Sequence, residues 1–212
     1  MGGSDRGTLF VISAPSGTGK STLARRLLES VPGLVFSVSY TTRPRRAGEQ
    51  SGREYHFVDD AVFDTMVAEG GFLEWARVFD HKYGTGLAAT EAVLAQGADM
   101  LLDIDVSGAG QVRAKGLDAV SIFILPPDYA SLTERLTRRG SEDPSALALR
   151  LREARREALE YDRFDYVVVN AELEVAISEL SAIVRAEPAR TARRRDRVKK
   201  ILSTFPAPGT GA

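Results

Sequence analysis

The sequence predicts an α/β fold built on a parallel sheet, and three observations carry that expectation. An apolar run at residues 7–13 leads into the Gly-rich turn S-A-P-S-G-T-G-K-S-T, and a segment with leucines at helical spacing follows. From residue 99 onward, apolar runs alternate with helical patterns. Those runs are nearly continuous in hydrophobicity, as strands covered on both faces are.

Each element follows in order. Residues 7–13 (G-T-L-F-V-I-S) read as a buried strand. After the turn, Leu23, Leu27 and Leu28 share a helix face, and Pro32-Gly33 closes that helix. A second strand is expected at 34–39. Residues 40–90 break the alternation: a polar stretch, short strands at 55–58 and 72–79, and a helix at 61–69. That pattern reads as an α+β insertion, not another βα unit. A helix at 90–95 stops at Gly97. Then come a strand at 99–103, a helix at 108–115, a strand at 119–125 ended by Pro126-Pro127, and a helix at 129–138. The polar breaker R-R-G-S-E-D-P between two helices is a candidate lid. A strand at 166–170 and a helix at 173–185 complete the alternation. The basic stretch that follows reads as a solvated helix, with Val198, Ile201 and Leu202 able to dock one face.

Composition narrows the function classes. The 212 residues carry a net charge of −1, which offers no global attraction to nucleic acid or anionic membranes. There is no cysteine, so disulfides and thiolate metal sites are excluded. No apolar run approaches a membrane span, and M-G-G-S-D-R-G lacks the apolar core of a secretory signal. A cytoplasmic location is the expectation.

The turn carries the first chemistry. It follows the phosphate-cradling pattern G-x-x-x-x-G-K-[ST], except that Ala14 replaces the first glycine. Gly17 and Gly19 allow the tight backbone that turns successive N–H groups toward phosphates. Lys20 supplies a point charge, the Ser21 hydroxyl can ligate Mg²⁺, and the helix start adds its positive end. Ala14 is tolerated if its φ is negative. A second anion site is suggested by T-T-R-P-R-R-A-G-E and G-R-E-Y: Arg43, Arg45, Arg46 and Tyr55 on a polar loop. Two anion sites in one small chain imply phosphate passing between two phosphorylated ligands.

These segments, together with F-L-E-W-A, K-Y-G-T, L-L-D-I-D-V-x-G, I-F-I-L-P-P, R-L-x-x-R-G and F-D-Y-V-V-V-N, occur in order over most of the chain. Their sum closely resembles the guanylate kinases of bacteria, nucleoside-monophosphate kinases that phosphorylate GMP. Bacterial members often carry alanine at the first loop position.

The resemblance implies a phosphate-loop kinase core at 1–38, 93–136 and 147–205, with the loop at 14–21. It implies a GMP-binding insertion at 39–92, a lid at 137–146 and a disordered tail at 206–212. It implies that Ala14, Pro15, Ser16, Gly17, Thr18, Gly19, Lys20, Ser21 and Thr22 bind ATP, with Arg135, Arg139 and Asn170. Arg43, Arg46, Tyr55 and Tyr83 would hold the GMP phosphate, and Ser39, Glu74, Thr85 and Asp105 would read guanine. Asp103 and Arg150 would also be among the GMP-binding residues, with Ser21, and Asp103 through water, at Mg²⁺. Lys20, Arg43, Arg139 and Arg150 would be catalytic.

The chemistry is consistent with those roles. Carboxylates accept from guanine N1–H and its amino group, and hydroxyls can donate to O6. Asp103 and Asp105, read as alternate residues of one strand, would point the same way. A phosphomonoester is already mostly ionised at pH 7, so the acceptor needs no strong protein base. His56 and His81 read as packing or surface residues. Three departures from the family stand out: Ser107, Ala171, and the His81-Lys82 pair before Tyr83. Two other readings remain open, a non-catalytic interaction module of the same fold and a kinase acting on a phosphorylated sugar. The partners expected are ATP and GMP, with no nucleic acid and no membrane; a homo-oligomer is left open.

Overall fold

The computed structural model describes residues 6–138 and 144–206. The amino-terminal half contains β1 (Leu9–Ser13), α1 (Lys20–Ser30), β2 (Val35–Phe36), β3 (Tyr40–Thr41), β4 (His56–Phe57), α2 (Asp60–Ala68), β5 (Phe72–Val78), β6 (His81–Gly86) and α3 (Leu87–Ala95). The rest contains β7 (Met100–Asp103), α4 (Val106–Ala114), β8 (Ala119–Leu125), α5 (Tyr129–Arg138), α6 (Pro144–Ala158), β9 (Tyr166–Val169), α7 (Leu173–Ala186) and α8 (Thr191–Leu202).

Five strands form one sheet in the order β2-β7-β1-β8-β9, and every neighbouring pair is parallel. The central strand β1 shows why both faces must be covered. Phe10 and Ile12 pack into one core with Leu23 and Leu27 of α1 and Ile177 and Leu180 of α7. Leu9 and Val11 pack into the other, with Leu94 of α3 and Ala109 and Val112 of α4. Alternate residues of a strand face opposite sides, so an all-apolar strand needs two layers of helix. From β1 the chain runs to β2 and β7 on one side and to β8 and β9 on the other. The crevice at the carboxyl ends of the central strands is thus a switch point, where ligands bind in such sheets.

A second, four-stranded sheet has the order β4-β3-β6-β5. Its edge strand β5 is tied to the first unit by Gln111 of α4, which accepts from Trp75 N at 3.1 Å and donates to Trp75 O at 2.8 Å. The side-chain amide takes the place of a neighbouring strand, which satisfies an otherwise bare sheet edge.

Several expectations are corrected. The strand expected at 34–39 pairs only over Val35–Phe36, because it is an exposed edge. β6 was not anticipated; K-Y-G-T-G carries two glycines, a local turn signal, yet it pairs with β5 from Val78–His81 to Phe72–Gly86. Gly84 is required there, since a Cβ would lie 2.8 Å from Phe72 and 3.0 Å from Trp75. Tertiary packing thus overrides the local turn signal. Asp105 is not on the strand: β7 ends at Asp103, and Asp105 caps α4 by accepting from Gly108 N at 2.6 Å. Its carboxylate is therefore aimed by helix capping and not by strand alternation. Val198, Ile201 and Leu202 do not dock but are exposed. Arg193 anchors α8 instead, pairing with Asp118 at 2.8 Å and approaching the buried Glu187. The expected lid falls largely on residues 139–143, outside the described residues, as does most of the expected tail. No helix among the described residues is long and apolar enough to cross a membrane.

The β5–β6 hairpin turns through Phe79, whose φ of 53° is the single positive value among the described non-glycine residues. Phe79 is 93% exposed, so its ring contributes little packing to offset that conformation. Phe79→Gly should therefore raise stability by about 0.5–1 kcal/mol, read as a melting temperature about 1–4 °C higher.

Candidate active site

The phosphate loop lies between β1 and α1. Gly17 and Gly19 have φ of 88° and 95°, a conformation that lets successive amides face one centre. Packing enforces both glycines: a Cβ on Gly17 would lie 2.7 Å from Leu136, and one on Gly19 would lie 2.9 Å from the Asn170 amide nitrogen. Ala14 has no positive φ and is buried in the core with Phe10 and Ile12, so its methyl group is accommodated without strain. α1 begins at Lys20, and its first amides have no carbonyl one turn earlier to bond.

The loop is braced from three sides. Thr18 Oγ1 donates to Pro15 O at 2.7 Å. The Asn170 amide donates to Thr18 O at 2.8 Å, and Arg135 bridges Thr18 O and Asn170 O at 3.2 and 2.9 Å. Thr18, Arg135 and Asn170, with Arg138, Ala171 and Leu173, line a polar cleft of about 470 Å³ beside the loop, large enough for a nucleoside. Ser21 and Thr22 are exposed at the start of α1. Lys20 reaches across to the end of β7, where Nζ lies 2.5 Å from Asp103 Oδ1 and donates to Ile104 O at 2.5 Å. From α6, Arg150 donates to Ser16 Oγ at 3.1 Å. Arg139 lies outside the described residues.

The second cluster is built on the smaller sheet. Arg43 pairs with Glu49 at 2.7 Å, and its guanidinium lies 5.4 Å from the centre of the Tyr55 ring. Glu49 also accepts from Arg46 N at 2.8 Å, so one carboxylate shapes the whole arginine loop. Its pKa is depressed, chiefly by the Arg43 hydrogen bond. The Tyr55 and Tyr83 rings meet edge to face at 5.8 Å. Ser39 precedes β3, and its carbonyl accepts from His56 N at 2.8 Å.

Glu74 is buried on β5. Its Oε1 accepts from Thr85 N at 3.1 Å and from Thr85 Oγ1 at 2.7 Å. Thr85 is 1% exposed and thus stands behind Glu74, orienting it. Burial raises the Glu74 pKa; the Thr85 hydrogen bonds oppose this, and the nearby Asp105 charge adds to it. Glu74 and Asp105 converge on Gly108, where a Cβ would stand 3.0 Å from Glu74 Oε2 and 3.3 Å from Asp105 Oδ1. Two carboxylates held together in a partly dry site suit a ligand that presents adjacent N–H groups.

The structure thus brings Lys20, Asp103, Arg150 and Ser16 to the Gly-rich loop and the neighbouring end of β7, and Glu74, Thr85 and Asp105 to one cluster. Arg43, Arg46, Tyr55 and Tyr83 lie together on the smaller sheet. Sequence reasoning missed Glu49, Gln111 and Gly108. Glu49 and Gly108 stood inside recognised motifs, and their roles depend on neighbours distant in sequence. Gln111 lies on a helix with no local signal.

Comparison with known proteins agrees with this geometry. The family model described as Guanylate kinase matches residues 6–187. A curated protein named Guanylate kinase from Syntrophotalea carbinolica is 48% identical over 92% of this chain and 93% of its own. One from Rhodopseudomonas palustris is 50% identical over 86% of this chain and 83% of its own. The crystal structure of guanylate kinase from Anaplasma phagocytophilum superposes with a TM-score of 0.74 at 35% identity, covering 96% of this chain and 98% of that one. A parallel sheet covered by helices on both faces, a Gly-rich loop after its central strand, a second cationic cluster and these relatives lead to one conclusion: the chain belongs to the guanylate kinase family.

Proposed function

We propose that this chain transfers the γ-phosphoryl group of ATP to GMP, with the loop at 14–21 holding the donor and residues 39–92 forming the acceptor unit. The carrying observation is the convergence of Glu74 and Asp105 around Gly108. Guanine's N1–H and amino group satisfy two carboxylates, whereas adenine would face them with an acceptor at N1 and leave them unpaired.

The residues play distinct parts. Ser39 reads guanine beside the two carboxylates. Arg43, Arg46, Tyr55 and Tyr83 hold the acceptor phosphate through charge-assisted donors. Asn170 and Arg135 shape the adenosine side of the cleft. Lys20, Arg150 and Arg139 neutralise charge on the phosphoryl group in flight, so that two anions can align without strong repulsion. The segment at 137–146 serves as the lid.

No group of three or more acidic or histidine side chains among the described residues could hold a metal by itself. A hard ion carried by the nucleotide fits the donors present: the Ser21 hydroxyl and, through water, Asp103. Mg²⁺ would supply further neutralisation of the phosphates. The cysteine-free composition suits the cytoplasm.

Neither alternative is favoured. Curated relatives named Guanylate kinase match most of the chain, and the donor and base-reading residues are all present. A coupled assay with ATP and GMP, AMP, CMP or UMP tests the proposal. Turnover with GMP should exceed that with AMP by about 10⁴-fold, since a buried polar mismatch discriminates at that level. Equal rates with both would overturn it.

A further inference from the structure

Glu157 lies on α6, outside every role assigned so far, and its carboxylate accepts from Ser16 N at 3.3 Å. Ser16 opens the run of backbone amides that bends around the donor phosphates. Seven residues earlier on the same helix, Arg150 donates to the Ser16 hydroxyl at 3.1 Å. Two helical turns separate the pair, so both lie on one face, with the fully buried Ala154 between them against Leu132 and Leu136 of α5. α6 thus grips a single loop residue at two points, one cationic and one anionic. Glu157 is half-buried, and burial pushes its carboxyl above the usual range while the Ser16 amide opposes that shift. The Asp105 charge pushes it up further.

An anion bonded to an amide of a phosphate loop is in the position of a competitor for that loop. We propose that Glu157 is a positioning residue that stands in for the donor: without ATP its carboxylate holds the Ser16 amide, and an arriving phosphate takes that amide and releases α6. Two consequences follow. The loop keeps its shape while empty, and its filling is coupled to the helix that bears Arg150. The carboxylate also opposes donor binding by like charge. The inference rests on the loop being the donor site, as proposed above.

The test compares wild type with Glu157→Gln, which keeps shape and removes charge. At saturating GMP the KM for ATP should fall about three- to tenfold, the scale of one unit charge removed near a partly exposed site. The affinity for ADP without GMP, measured by calorimetry, should rise by a similar factor. The KM for GMP should stay within about twofold, and kcat should fall because the coupling to α6 is lost. Glu157→Asp, which keeps the charge but withdraws it by one methylene, should fall between the two. An unchanged or raised KM for ATP in Glu157→Gln would overturn the proposal and leave Glu157 a structural residue. If the Gln variant does not fold, Glu157→Asp alone decides by the same two affinities. Wild-type turnover of GMP is the control: its absence would remove the kinase reading itself, whereas its presence with unchanged donor affinity would remove only this inference.

Discussion

Lys20→Ala is expected to lower kcat by about 10³-fold or more while changing GMP affinity by less than about threefold. Lys20 sits at the first turn of α1, where the loop amides and the positive helix end already favour an anion. In the structure its ammonium rests 2.5 Å from Asp103 Oδ1 and 2.5 Å from Ile104 O, at the end of β7. The charge it carries matters most when negative charge shifts from the γ-phosphoryl group to the leaving oxygen. In the proposed function acceptor binding depends on other residues, chiefly Arg43 on its loop and Glu74 on β5. The check combines a coupled kinase assay with calorimetric titration of GMP. Loss of GMP binding in a folded variant would contradict this division between donor and acceptor sites. Lys20→Met keeps the aliphatic stem and should behave the same way. Melting curves of both variants confirm that Asp103, left without its cation, has not unfolded the chain.

Glu74→Gln should lower kcat/KM for GMP by about 10²–10⁴-fold, because an amide NH₂ then faces donors of guanine where an acceptor stood. The loss should fall on GMP far more than on AMP, so the selectivity ratio shrinks. Equal losses on both nucleotides would show that Glu74 supports the fold and not the base reading. The same variant has a pH signature. Burial raises the Glu74 pKa, so the folded chain holds this proton at pH values where the unfolded chain has lost it. The contribution to stability is full below the unfolded pKa and is lost as pH rises through the folded one. Wild type should therefore lose stability across that window relative to Glu74→Gln, whose amide does not titrate. Parallel melting curves at stepped pH measure the difference.

The legible parts of this protein were those encoded locally. The alternation of apolar runs and helical patterns from residue 99 onward announced a parallel sheet. The loop from Ala14 to Ser21 announced a phosphate site, since its glycines, lysine and hydroxyl lie within eight consecutive positions. The motifs around Arg43, Glu74 and Asp105 named their residues because the resemblance spans most of the chain. The misreadings came where a partner distant in sequence decides. β6 contains two glycines, a local turn signal, yet pairing with β5 makes it a strand. Asp105 reads as a strand residue, yet the Gly108 amide makes it a helix cap. Val198, Ile201 and Leu202 read as a docking stripe, yet Arg193 finds Asp118 and Glu187 first and turns that stripe outward.

By itself the sequence determined the α/β class, the phosphate loop and the family, because periodicity and short motifs report the backbone they can form. Only the tertiary structure decided which charges meet. It set Glu49 against Arg43, Thr85 behind Glu74, Gly108 between two carboxylates, and Glu157 on the Ser16 amide. The physical reason is range. Hydrophobic patterning acts between neighbours along the chain, whereas a carboxylate's pKa and its partners depend on atoms brought within a few ångströms by strands far apart in sequence.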